Sequence, residues 1–108
     1  MANAIRVVYN DLPRLSRELQ QAAAAAVSKA ARDIEARAKT TAPVDTGALR
    51  NSIQTWQDDP LHAYIAPHVE YAAYVEFGTS RQRARPYMAP AAEAVRPSFL
   101  AAMERIVK

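Results

Sequence analysis

The sequence predicts an α+β fold: a long N-terminal helix packed on a small antiparallel sheet, itself a β-hairpin plus an N-terminal strand, with a short middle helix and a C-terminal helix. Three observations predict it. Apolar residues recur every three or four positions from Leu12 to about Thr41, the spacing that keeps one helical face apolar. The stretches "IQTW" and "LHAYIA" flank the turn-forming cluster "DDP", which reads as a hairpin. The stripe Val95, Phe99, Met103 and Ile106 marks a last helix. A chain of 108 residues with half its positions apolar can bury one core, so residues 1–108 are expected to form a single domain.

Each element follows in order. In "AIRVVY", Ile5, Val7 and Tyr9 alternate with Arg6 and Val8, as in a short half-buried strand. "NDLP" punctuates it; Asn10 or Asp11 can cap the next helix, and Pro13 suits a first turn because its missing N–H has no intrahelical partner there. The helix from Leu12 carries Leu15, Leu19, Ala22, Ala26, Ala30, Ile34 and Ala38 on one face. About 30 residues at ~1.5 Å each make a rod of about 45 Å, longer than the roughly 26 Å width of a compact domain of this size, so part of it should project beyond its own core. Its centre, "QQAAAAAVSKAA", is either helix filler selected by propensity or a face for a closely packed partner helix.

Pro43 disfavours helical geometry at Ala42 and should end the helix. After the hairpin, "VEYAAYVEFGT" fits either period, and a short helix ended by Gly78 is favoured. "SRQRARP" is a polar loop. Pro90 suits the first turn of the final helix, which Pro97 should kink or split.

Composition narrows the function. The absence of cysteine removes disulfides, a thiol nucleophile and zinc–thiolate sites. No apolar run approaches a signal-peptide core or a membrane span, so a soluble, cytoplasmically made chain is expected, with no membrane partner. A net charge of +3, from 14 cations and 11 anions, permits contact with nucleic acid without requiring it.

The triplet Asp45-Thr46-Gly47 matches the letters around an aspartic-protease carboxylate. Such an enzyme needs two carboxylates sharing a proton, on all-β lobes with a flap, and a long helix before the triplet and only two glycines in the chain argue against it. The structural alternative accounts for each residue: Asp45 and Thr46 as side-chain acceptors for a new helical turn near Gly47, Gly47 at the corner, and Leu49 with Ile53 pinning that turn to the core. His62 and His68 on one strand would lie about 20 Å apart, too far for one metal. No phosphate loop or nucleophile elbow is present. No catalytic, metal or cofactor-binding residues are expected.

Two features remain. Glu76, embedded in "YAAYVEFG", needs a cationic or hydrogen-bonding partner if it is buried, with Arg50 the candidate; the alternative is a solvent-facing Glu76 at a helix end. Arg81, Arg83 and Arg85 alternate, so an extended backbone would project them as a comb toward phosphates or an acidic partner, or leave them simply solvated.

Taken together, "APVDTGALRNSI", "YAAYVEFGT" and "RPYMAPA", in that order behind an alanine-rich helix, resemble the tail-completion or head–tail joining proteins of long-tailed bacteriophages and prophages, across most of residues 12 to 107. By resemblance, Pro43, Asp45, Thr46, Gly47, Leu49 and Ser52 form the family's helix-to-strand corner. Tyr71, Ala72, Glu76, Phe77, Gly78 and Thr79 match its second motif, and Pro86, Pro90 and Ala91 the start of its last helix. Pro97 and the pair Tyr87-Met88 depart from that pattern. The resemblance implies a non-enzymatic virion protein built as a ring in the neck, between the portal or connector and the tail terminator or tail tube. A hexamer is favoured and a dodecamer is the alternative, with genomic DNA passing through the lumen. The long helix and Arg81, Arg83 and Arg85 are the expected contacts. A small basic nucleic-acid-binding protein is the competing reading.

Overall fold

The computed structural model describes residues 4–8, 16–43 and 47–107. In chain order the elements are β1 (Ile5–Val8), α1 (Arg17–Thr41), α2 (Ala48–Ser52), β2 (Gln54–Asp59), β3 (His62–Ala66), α3 (Ala72–Phe77) and α4 (Met88–Val107). The three strands form one antiparallel sheet in the order β1-β3-β2, so the expected α+β arrangement is present.

The long helix starts later than its apolar spacing suggested. Ser16, in extended backbone, accepts a hydrogen bond from the Leu19 N–H at 3.2 Å, and helical geometry begins at Arg17. Asn10, Asp11 and Pro13, the expected cap and first-turn residues, lie outside the described residues. The other end falls where Pro43 requires it: Ala42 is extended (φ −60, ψ 136) and its N–H closes the last turn on Ala38 O at 2.8 Å. Glu18 in the first turn and Lys39 in the last both complement the helix dipole.

The buried face of α1 is Ala23, Val27, Ala30, Ala31, Ile34 and Ala38. Its small side chains admit α4, which lies along α1 and contributes Ala91, Val95 and Met103 to the same core, with Phe99 and Ile106 half-buried beside them. The alanine run therefore serves a close-packed partner helix, and that partner belongs to the same chain. No residue from Arg17 to Ala22 is buried, so the N-terminal turns of α1 project past the core. The molecule measures 51 × 23 × 21 Å with a radius of gyration of 15.3 Å, against about 13 Å for a compact chain of this length.

Pro97 does not split α4, which runs unbroken from Met88 to Val107. The N–H that proline lacks would have bonded the Glu93 carbonyl, and both residues sit on the exposed side of the helix, where water can satisfy that carbonyl.

The pleat of the sheet sorts its residues onto two faces. Val7, Ala63 and Ile65 are buried under α1, and Gln57 reaches the same helix, accepting from Ser28 Oγ at 3.2 Å. Arg6, Tyr64 and Trp56 stand in register on the other face, where Trp56 stacks on Tyr64 at 5.3 Å and His68 tilts against it at 5.7 Å. The hairpin turn is tighter than the "DDP" cluster suggested: Asp58 and Asp59 belong to β2, and Pro60-Leu61 make the turn. An irregularity between Gln57 and Asp59 absorbs the extra residue. Asp59 Oδ1 then accepts from the Leu61 N–H at 2.8 Å and Leu61 is buried beneath the turn.

Candidate assembly interface

Three segments carry the sequence motifs, and the structure ties two of them into one unit. The first is the corner after α1. Gly47 takes φ +82 at the N-terminus of α2, and the Asn51 N–H bonds its carbonyl at 2.9 Å. A left-handed backbone there costs glycine nothing, which explains the residue type. Leu49 and Ile53 are buried, α2 packs against α1, and Ser52 Oγ donates to Leu49 O at 2.7 Å. Pro43 is half-buried at the end of α1. Asp45 and Thr46 lie outside the described residues, and so does their expected capping role.

The second unit joins α3, the arginine loop and the start of α4. Glu76 is 4% exposed, and its carboxylate receives three backbone N–H groups: Tyr87 and Met88 to Oε1 at 3.1 and 2.9 Å, and Ala89 to Oε2 at 3.2 Å. The first N–H groups of a helix have no intrahelical acceptor and carry its positive dipole end. A carboxylate from α3 thus caps α4 across 11 to 13 residues of chain. Arg50, the expected partner, is not the one Glu76 uses: the helix end supplies the donors, and Arg50 Nε is buried without a hydrogen-bond partner.

The intervening loop is folded rather than a free polar segment. Gly78 ends α3 at φ +78, ψ 176, and a Cβ there would sit 2.7 Å from the Ala84 nitrogen, so only glycine lets the loop cross so closely. Thr79 Oγ1 accepts from the Arg81 and Gln82 N–H groups, both at 3.1 Å, while the Thr79 N–H bonds Gln82 O. Arg85 N–H closes the loop on Val75 O at 2.8 Å, and the fully buried Tyr87 donates its hydroxyl to Ala72 O at 3.1 Å. The expected extended comb is therefore broken by a turn over Thr79–Gln82, which forms because Thr79 offers a local acceptor. Arg81, Arg83 and Arg85 remain exposed, as do Pro86 and Pro90, whereas Ala72 and Ala91 are buried.

This scaffold presents a feature that the motif reading missed. Tyr71 at the N-terminal cap of α3, with Tyr74 and Phe77 within it, recur every three residues and are 43%, 62% and 63% exposed. With Glu76 and Ala72 turned inward, the aromatic side chains share the outward face. The signal was in "YAAYVEF" itself: once the segment is helical, the buried carboxylate and the aromatic stripe must face opposite ways. An exposed aromatic stripe flanked by arginines has the composition enriched in protein–protein contacts.

Among the described residues no group of His, Asp and Glu could hold a metal ion. His62 approaches Asp58 at 3.9 Å, and His68 packs on Trp56. No described helix is long and apolar enough to cross a membrane.

Comparison of the chain with curated proteins and with solved structures gave no match. One family model does match, that described as "Bacteriophage HK97-gp10, putative tail-component", over residues 7–78. The match spans two thirds of the chain, from β1 through the corner and the hairpin to Gly78 at the end of α3. The chain belongs to this HK97-gp10-like family of bacteriophage tail components.

Proposed function

We propose that this phage tail component is a non-enzymatic subunit, one domain spanning residues 1–108, that assembles as a closed ring in the neck of the virion. There it joins the portal or connector to the tail terminator or tail tube. Six copies are the favoured stoichiometry and twelve the alternative. The observation that carries the reading is the α3 face: three exposed aromatic rings beside three exposed arginines, on a backbone held rigid by the Glu76 cap and the Gly78 crossing. A monomer gains nothing from leaving such a face in water, whereas a subunit surrounded by neighbours buries it. The projecting N-terminal turns of α1 suit the same role.

The experiment is light scattering and negative-stain imaging of the purified protein, alone and mixed with connector and tail-tube proteins. Closed rings of one stoichiometry are expected. A strict monomer that ignores every such partner would sink the proposal.

The same arginines support one competing reading, a small nucleic-acid-binding protein. That reading requires tight, saturable DNA binding by the isolated chain, with an affinity that falls steeply as salt rises. In the ring reading, DNA passing through the lumen makes only weak, non-saturating contact.

A further inference from the structure

At the hairpin tip, opposite the corner and α3, lies an open groove of about 520 Å³ lined by Ala24, Ala25 and Ser28 of α1 and by Asp58, Asp59 and Pro60. Its α1 wall carries only small side chains, two alanines and the serine whose hydroxyl bonds Gln57, which also lines the groove. Its described lining holds two carboxylates and no cation. Asp58 and Asp59 are exposed, although each accepts a local hydrogen bond.

β3 starts at this turn with His62 and ends at Ala66, from which the chain leads into α3. The acidic groove and the aromatic, basic face of α3 therefore sit at opposite ends of the sheet. Among the described residues no carboxylate pairs with Arg81, Arg83 or Arg85.

We infer that the α3 face docks in the hairpin-tip groove of a second copy of this chain, the rings of Tyr74 and Phe77 over Ala24, Ala25 and Pro60, and the arginine loop against Asp58 and Asp59. The inference rests on the ring reading and names the surfaces that would build it. Three lines of argument select a second copy in this orientation. Charge is complementary between the two ends of one chain, which steers and registers a contact. The same α3 face meeting itself would set each arginine triplet against its own like charges, so an isologous dimer is disfavoured. The rings of Tyr74 and Phe77 alone offer roughly 250 Å² of surface, a substantial part of the ~800 Å² per partner of a stable interface once the loop is added. A contact between two different patches is heterologous and propagates from copy to copy, closing into a ring when its rotation allows.

The chain has no cysteine, so a disulfide trap is unambiguous. Phe77→Cys and Ala25→Cys are made as separate proteins, checked for native circular dichroism, mixed and oxidised at high concentration. The mixed disulfide between positions 77 and 25 is expected to exceed either homodisulfide. It should be lost when the Ala25→Cys partner also carries Asp58→Lys and Asp59→Lys, and return when Arg83→Glu and Arg85→Glu are placed on the Phe77→Cys copy. A dominant 77–77 disulfide, or no mixed product from folded proteins, overturns the pairing. The two proposals fail separately. Rings that form while positions 77 and 25 stay unlinked refute the pairing alone, and a strong mixed disulfide in open chains that never close refutes the ring alone.

Discussion

Replacing Glu76 by alanine removes, in one step, the acceptor for three backbone N–H groups at the start of α4, those of Tyr87, Met88 and Ala89. Tyr87 and Met88 are almost wholly buried, so water cannot simply take the carboxylate's place without opening the α3–α4 junction. An unsatisfied buried donor costs about 1–3 kcal/mol, and losing a helix cap alone about 0.5–2 kcal/mol. Two fully buried donors and one partly buried donor therefore place the loss at about 3–5 kcal/mol, among the larger effects of a single substitution. For a domain of this size each kcal/mol moves Tm by roughly 4–8 °C, so a fall of roughly 12–40 °C is expected. Glu76→Gln keeps one acceptor oxygen and loses the charge, so its loss should be near 1–2 kcal/mol, since hydrogen bonds to charged groups exceed neutral ones by about that much. Urea titrations followed by circular dichroism, analysed at equal slope, measure both. A loss below about 1 kcal/mol for Glu76→Ala would refute the cap as a main support of α4.

Four further outcomes follow from the same geometry. Gly78→Ala, which sets a Cβ against the Ala84 backbone in a region open essentially to glycine, should cost about 2–4 kcal/mol in denaturant titration. Gly47→Ala, whose nearest neighbour is an Asn51 side-chain nitrogen at 3.8 Å, should cost only about 1 kcal/mol. Ala30→Leu forces a longer side chain into the α1–α4 contact and should destabilise by about 1–3 kcal/mol, a loss that Ala25→Leu on the exposed side should not show. Pro97→Ala restores a missing N–H on the exposed side of α4 and should leave stability unchanged or raise it by up to ~3 kcal/mol; a clear destabilisation in thermal melts would mean that the proline itself fixes the path of the helix.

Much of this architecture was legible in the residue pattern, and the parts that were not share a physical cause. The face of α1 from Ala30 through Ile34 to Ala38 reads directly from its spacing, because a buried stripe leaves the same period in sequence and in space. Further toward the N-terminus the buried residues are Ala23 and Val27, one position on from the expected Ala22 and Ala26, and Leu19 is exposed, because in a run of alanines either of two adjacent stripes is equally apolar. The hairpin reads from its turn residues, and Gly78 from its place after a helical run. The start of α1 was harder, since Ser16 competes with Asn10 and Asp11 as a cap and all are good ones. The partner of Glu76 was hidden for a different reason. A carboxylate held by backbone N–H groups has no partner side chain to find, and a cap supplied from 11 residues upstream carries no local signature. Arg50 is the cation that the sequence offers in its place. The unbroken α4 depended on which side of the helix Pro97 occupies, which its stripe of Val95, Phe99 and Met103 does contain, since position 97 falls off that stripe. The hairpin-tip groove joins α1 to a turn more than 30 residues later, and only the fold places them together.

The central claim is a neck ring, and the copy number of this chain per virion tests it most directly. Quantitative mass spectrometry of purified phage particles, calibrated against the connector and the tail-tube protein, should give six or twelve copies per particle. Reconstruction of the neck should show them as one closed layer between those two neighbours. A copy number that scales with tail length, or density for this chain along the tube rather than in the neck, would contradict the account.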